Sequence, residues 1–483
     1  METIVLGTMG SAVLQTPLAE SLRYNAPGNL CSWRPLNAAL VEYYRCPEIL
    51  AGFKLVGQLS PDAGYFRFGQ NSICYGRSTS GVRTRQPQSA PYDVSRDVGH
   101  MGETALLPFD PNEIIANLRM ERYASQYRQA ALGRVGRHLR NFYYLLRPAL
   151  HVSVRQWLQR AYLRDWRQLT FPRWPVDTTV EDLHQELLLR AMKASNVQRV
   201  PFIWFWPKGA SGCLTMTHDV ESKYGLKFCP QLMDMDDSFG FKASFQVVPA
   251  GRYHLDGSYV AAIRGRGFEM NLQDLSHDGH LFRQRDEFLE RAREINAYAE
   301  LYQARGFRAA VLYRNPEWLD ALHFSFDMSI PNVAHLDPQR GGCCTVMPYF
   351  IGDMVEIPLT TVQDYSLFHL LGDYSLDTWK TQAEIILSKN GLLSFLVHPD
   401  YVIEKKGRAI YLELLHYLRD LVSQRGLWCA LPGEIDQWWR ARSGMKLARR
   451  GEDWEIEGEG AERATLAFAV LAGDHLEYQI HTN

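Results

Sequence analysis

Short apolar runs separated by helical periods dominate the second half of the chain, and that alternation predicts its architecture. Beyond residue 200, strand-like runs occur at 213–217, 243–248, 267–272, 307–312, 323–328, 354–359, 392–397 and 427–430. Helical patterns lie between several of them. The clearest covers 284–305, where Phe288, Ala292, Ile295, Ala299 and Tyr302 share one face and Gly306 supplies a C-terminal stop. Short buried strands alternating with helices make a parallel sheet, and seven or eight of them point to a closed or nearly closed barrel.

The flanking regions follow other patterns. Within 1–110, the strand-like runs 65–68 and 73–75 predict β-hairpins, and 77–100, rich in Ser, Arg, Gln and Pro, reads as a mobile loop. Asp110-Pro111-Asn112-Glu113 carries an N-cap, a first-turn proline and a following glutamate, so a helix starts there. Thr178-x-x-Glu181 opens a second capped helix that runs to about Ala194, and alternation beyond 445 predicts a small antiparallel β appendage. The chain divides accordingly into a mixed N-terminal region (1–130), a helical connector (131–199), the barrel (200–442) and the appendage (443–483).

The connector is unusual in charge. Between Arg134 and Arg173 lie nine arginines and one acid, Asp165. Val154, Trp157, Leu158, Ala161 and Tyr162 form one helical stripe, with Arg155, Arg160 and Arg164 off it. Two readings follow. Residues 134–173 could be a peripheral element on an anionic membrane or glycan. The simpler expectation is that the stripe packs on the barrel and the arginines are solvated, as in most amphipathic helices.

Whole-chain composition narrows the function classes. With 46% hydrophobic and 22% charged residues and a mean hydropathy of -0.26, the chain reads as a folded soluble protein. A net charge of -2 gives no case for nucleic-acid binding. Its eight cysteines include no pair at zinc-knuckle spacing, and the first residues carry no basic stretch followed by a long apolar one. A cytoplasmic protein with reduced thiols is expected. No pattern speaks to oligomeric state.

In a β/α barrel the reactive groups follow the carboxyl ends of the strands. Those positions hold Thr217-His218-Asp219-Val220-Glu221, Gln273 with His277 and His280, Arg308, Ser325-Phe326-Asp327 and His398-Pro399-Asp400. Acids, imidazoles and an arginine on one rim suit metal-assisted hydrolysis.

These same segments resemble the motifs of the NodB-like polysaccharide deacetylases. Leu214-Thr-Met-Thr-His-Asp-Val-Glu221 is similar to their first motif in its T-H-D-V-D form, and Glu269-Met-Asn-Leu-Gln273-Asp-Leu-Ser-His277 to the second. Gly306-Phe-Arg308 resembles the start of the third, Phe326-Asp327 the fourth, and Phe395-Leu-Val-His398-Pro-Asp the fifth. The likeness covers about half of the chain, with the motifs in order. It implies an α/β fold, a NodB-like (β/α)7–8 barrel, and a metal-dependent carbohydrate deacetylase that removes an acetyl or similar group from an amino-sugar glycan or its precursor. It further implies a divalent ion, zinc first, held by Glu221, Gln273 and His277. Asp219 would be the base and His398 the acid, with Arg308 holding Asp219 and Asp327 holding His398. The sequence departs from the pattern at Gln273, where the motif has histidine, at Glu221 for aspartate, and at Ala310 for proline. His280 is a spare imidazole near His277, and His218 is either a ligand or a packing residue. These departures make a non-catalytic glycan-binding or scaffold protein the runner-up.

Overall fold

A computed structural model describes residues 34–48, 52–70, 72–82, 84–87, 90–124 and 152–481. The connector before residue 152 and the segment before 34 lie outside the described residues.

Each of the eight apolar runs contains a strand. They are β1 (Cys213–Val220), β2 (Ala243–Val247), β3 (Glu269–Gln273), β4 (Gly306–Arg308), β5 (Phe326–Asp327), β7 (Met354–Glu356), β8 (Leu392–Leu396) and β9 (Trp428–Cys429). A further strand, β6 (Tyr349–Ile351), joins the edge. The order is β6-β7-β5-β4-β3-β2-β1-β8, with β9 also on β1; every pairing is parallel except β6 with β7. Of the closed or nearly closed barrel expected, the ladder does not reach closure. Between β7 and β8 the gap is spanned by the stretch after β7, where Thr361 N donates to Ser394 O at 3.3 Å and Thr360 Oγ1 to Leu392 O at 2.6 Å. The sheet is a curled, incompletely paired barrel.

Two local expectations change. The run 307–312 is strand only as far as Arg308, because Val311 and Leu312 take positive φ (57° and 53°) in a 3-10 turn. Helix Arg285–Tyr302 buries the predicted face of Phe288, Ala292, Ile295 and Ala299, but Gln303, at φ 51°, ends it. Gly306 belongs to β4, where a Cβ would lie 2.2 Å from the Phe326 ring. It is there for close approach, not as a helix stop.

Outside the sheet, Gly64–Phe68 and Ser72–Gly76 form the predicted hairpin, with Tyr65 opposite Tyr75. The stretch 77–100 carries a 3-10 turn at Val94–Asp97 and leads into a short strand at Gly99–Met101. Helix α1 (Pro111–Arg119) starts on Asp110, whose side chain accepts from Asn112 N at 2.8 Å. Helix Thr179–Ala194 is present, but Thr178 does not cap it. Asp177 Oδ1 takes Thr179 N at 2.9 Å, while Glu181 turns to Thr345 and Val346. The C-terminal hairpin of Leu466–Ala472 with His475–Ile480 also pairs with Arg199–Ile203, which joins 443–483 to residues that precede the sheet.

The connector helix α2 (Val152–Leu163) docks by the opposite face from the one expected. Leu163 is buried, Gln159 bonds the Tyr365 hydroxyl, and Arg160 donates twice to the His369 carbonyl, at 2.9 and 2.7 Å. Trp157 and Tyr162 of the apolar stripe stand 66% and 58% exposed. Residues 366–371 form a π-helical turn, and a carbonyl there is satisfied by a guanidinium that no aliphatic side chain could replace.

Glu121, just after α1, pairs with Arg314 after β4; both side chains are fully buried, and Arg314 Nε donates to Glu121 Oε2 at 2.8 Å. Glu121 Oε1 also takes Gly342 N at 2.6 Å. Removing one member of such a pair leaves a charge without compensation. Arg314→Ala should therefore cost about 3–5 kcal/mol in denaturant unfolding. A loss under about 1 kcal/mol, the range of exposed pairs, would show that the joint carries little of the stability.

Candidate active site

Strand β1 is buried along its whole length. Its two-residue alternation sends Thr217 and Asp219 to one face and His218 to the other. His218 Nδ1 lies 2.9 Å from Val397 O and Nε2 3.1 Å from Asp236 Oδ2, so the ring ties β1 to β8 and to helix Lys223–Ser238. It is a packing residue, not a ligand.

Asp219 on β1 meets side chains from β3 and β4 across the curled sheet. Its Oδ1 accepts from Arg308 Nη1 at 2.9 Å and its Oδ2 from Gln273 Nε2 at 2.8 Å. Arg308 is fully buried and also donates to Thr217 Oγ1 at 2.9 Å and Met328 O at 3.0 Å. Burial pushes the Asp219 carboxyl above its ordinary range, against the pull of Arg308 and His398. The expected Asp219–Arg308 pair is in place.

Glu221, one residue past β1, faces two imidazoles. Its Oε1 is 2.7 Å from His277 Nε2 and 3.5 Å from His398 Nε2. Burial alone would raise the Glu221 carboxyl, but the two rings outweigh it and hold the group well below the usual carboxylate range. His398 follows β8 and is oriented by Asp364, which is fully buried: Nδ1 is 2.6 Å from Asp364 Oδ1, and the His398 backbone N donates to Oδ2 at 2.7 Å. Burial would lower the imidazolium, yet Asp364 and Glu221 carry it well above its ordinary value.

Asp327 does not orient His398. Its carboxyl accepts from Ser329 Oγ at 2.6 Å and lies against Glu356; burial raises both acids. Asp364 fills that position instead. It was reachable from the sequence by the rule that found the others, because it follows the sixth apolar run and the polar pair Thr360-Thr361.

The expected ligands are arranged differently from the expectation. Glu221 is central. Gln273 turns its amide N–H toward Asp219 and, at 3.4 Å, toward Glu221, and its buried Oε1 has no hydrogen-bond partner among the described residues. His277 Nδ1 lies 3.2 Å from Arg252 Nη2, which also donates to the His277 carbonyl at 2.7 Å. A guanidinium only donates, so the neutral ring accepts at Nδ1 and carries its hydrogen on Nε2, facing Glu221. A ligating imidazole needs the reverse arrangement, with its far nitrogen donating to a carboxylate or carbonyl. His398 on Asp364 has that arrangement. His280 stays apart, its Nδ1 3.9 Å from Asp278.

The fold does gather a set that can hold a divalent cation: Asp219, Glu221 and His398 present ligand atoms within 4.8 Å of one another. Two carboxylates and a carboxylate-backed imidazole suit such an ion. It shares only Glu221 with the expected set.

No protein family profile matches the sequence, and no curated protein matches it. Among solved structures the chain is similar to a Mycobacterium smegmatis protein assigned as a polysaccharide deacetylase, at 16% identity and TM-score 0.39, over 52% of this chain and 98% of that one. It is also similar to the allantoinase Puue, at 14% and 0.38, over 49% and 92% of the two chains. The peptidoglycan deacetylase PdaC of Bacillus subtilis aligns at 13% and 0.32, over 48% and 94%.

Proposed function

We propose that this protein hydrolyses an acyl amide, the acetamide of an amino-sugar glycan or glycan precursor. The observation that carries the reading is a pair of oriented proton-transfer groups on one site: Asp219 held by buried Arg308, and His398 held by buried Asp364. In that arrangement Asp219 takes a proton from a water that attacks the acyl carbon. His398 delivers its Nε2 proton to the departing nitrogen as the C–N bond breaks, leaving a carboxylate and a free amine. Arg308 pulls Asp219 toward its ionised form against burial, and Asp364 fixes which His398 nitrogen faces the substrate.

Of the three groups that could face a cation, only Glu221 has no proton-transfer task, so it is the residue that would anchor one. Zinc is the first choice for a site with both carboxylate and imidazole ligands. A bound divalent ion supplies Lewis acidity toward the acyl oxygen and the water.

One feature favours a second reading, a non-catalytic glycan-binding or scaffold protein. Gln273 already donates to Asp219, so Arg308 and Gln273 together occupy both oxygens of the expected base.

The deciding measurement is acetate release from N-acetylated amino-sugar oligomers, with and without added divalent metal. Turnover should fall by about 10²–10⁴-fold in Asp219→Asn and in His398→Ala. Absence of release from the wild-type chain on every such substrate, metal included, would leave the scaffold reading in front. A second expectation concerns pH. His398 must be protonated to act as acid, so the alkaline limb of the rate profile reports its pKa. Asp364→Asn removes a charge that raises that pKa, and the limb should move to lower pH. Asp327→Asn should leave it in place; a shift there instead would return the orienting role to Asp327.

A further inference from the structure

We propose that the mouth of the sheet docks on an anionic membrane surface through α2 and the two chain segments beside it. Among the described residues, eight large apolar side chains are exposed, and five of them lie on α2 or within a few residues of Glu221 and His398: Val154, Trp157, Tyr162, Tyr224 and Ile403. Tyr224 is three residues past Glu221 and 65% exposed; Ile403 is five past His398. α2 reaches the same place through Tyr365, next to Asp364, and through His369. The His369 ring is 4.6 Å from Tyr401, which lies 5.2 Å from His398.

Charge complementarity selects the occupant. Arg164 and Arg167 are exposed just after α2, and the acid between them, Asp165, is paired with Arg340 at 3.1 Å. Lys223 lies beside Tyr224, and Lys405 and Lys406 outnumber Glu404 beside Ile403. Aromatic and aliphatic tips ringed by Lys and Arg suit an acidic headgroup layer. Val154 and Ile403 offer nothing to a sugar ring, which stacks on flat aromatic faces, so a soluble glycan fits this surface less well. No described helix is long and apolar enough to cross a membrane. The inference goes beyond the hydrolase reading and does not need turnover.

The test is co-sedimentation of the full chain with phosphatidylcholine vesicles, with and without phosphatidylglycerol. Binding is expected only to the anionic vesicles and should weaken as salt rises. Lys405→Glu and Trp157→Glu should each lower it by about fivefold or more. Leu301→Glu should not, because Leu301 lies at the end of its helix that feeds β4, away from the mouth. Both altered side chains are exposed, and unchanged circular dichroism would confirm that the variants fold. Binding to neither vesicle, equal binding to both, or equal loss in Leu301→Glu would overturn the proposal. So would vesicle-independent quenching of tryptophan fluorescence by a soluble chito-oligosaccharide that Trp157→Glu abolishes. Acetate release from a soluble substrate should be the same in Trp157→Glu as in wild type, which keeps this outcome separate from that of the hydrolase reading.

Discussion

A guanidinium with no access to water, Arg308, sets the geometry on which the site depends. Arginine stays charged in proteins, and taking such a charge out of water costs several kcal/mol that only close hydrogen bonds can offset. Here they come from Thr217, Asp219 and the Met328 carbonyl. Those partners lie on β1 and just past β5, so β1, β4 and the chain after β5 must converge. Once they do, Asp219 has one defined position, and Gln273, in register beside Arg308 on β3, meets its second oxygen. The Asp219 carboxyl is therefore placed by strand pairing and not by a loop. That rigidity is what a proton-transfer group needs, because small displacements weaken it sharply.

Much of the sheet was legible because buried parallel strands leave a plain sequence trace: an apolar run, then a polar residue at the rim. Asp219, Glu221, Arg308 and His398 were found in that way and do come together. Two things were missed. Asp364 lies 34 residues from the histidine it orients, outside the motifs that carried the resemblance, and only the approach of β8 to the stretch after β7 makes them neighbours. The docking face of α2 was hidden for a different reason. Periodicity tells which residues share a stripe, but not whether a neighbour offers apolar surface or an unsatisfied carbonyl. The π-helical turn at 366–371 offered the carbonyl, and the helix turned accordingly.

Residue type also misled at the two imidazoles. His277 and His398 both face Glu221, and sequence alone gives no way to rank them as ligand or acid. Their far nitrogens decide. Arg252 beside His277 can only donate, and Asp364 beside His398 can only accept, so as neutral rings one turns an N–H and the other a lone pair toward Glu221. Gln273 adds an N–H donor where the resembling motif has a lone pair. The result is a site rich in donors around Glu221, in which a cation would compete with N–H groups for the same oxygen.

The stretch between β5 and β6 shows why residues 34–199 cannot be treated as a loose attachment. It has no regular ladder of its own, so its buried backbone groups must find partners elsewhere. Asn332 supplies several: its amide donates to Asp177 O at 2.7 Å and Thr345 O at 2.9 Å, and its Oδ1 accepts Asp177 N at 2.8 Å. Gly342 comes so near that a Cβ there would lie 2.1 Å from Asn332 O, which leaves glycine as the residue that fits. Glu121 and Glu181 then satisfy the amides of Gly342 and Val346. The sheet edge is completed by side chains from the preceding region, and the segment that carries α2 runs between two of those fixed points, Glu121 and Asp177. The segment that carries α2 thus rejoins the sheet at Asp177, while α2 itself is held beside the mouth by Arg160 on the His369 carbonyl.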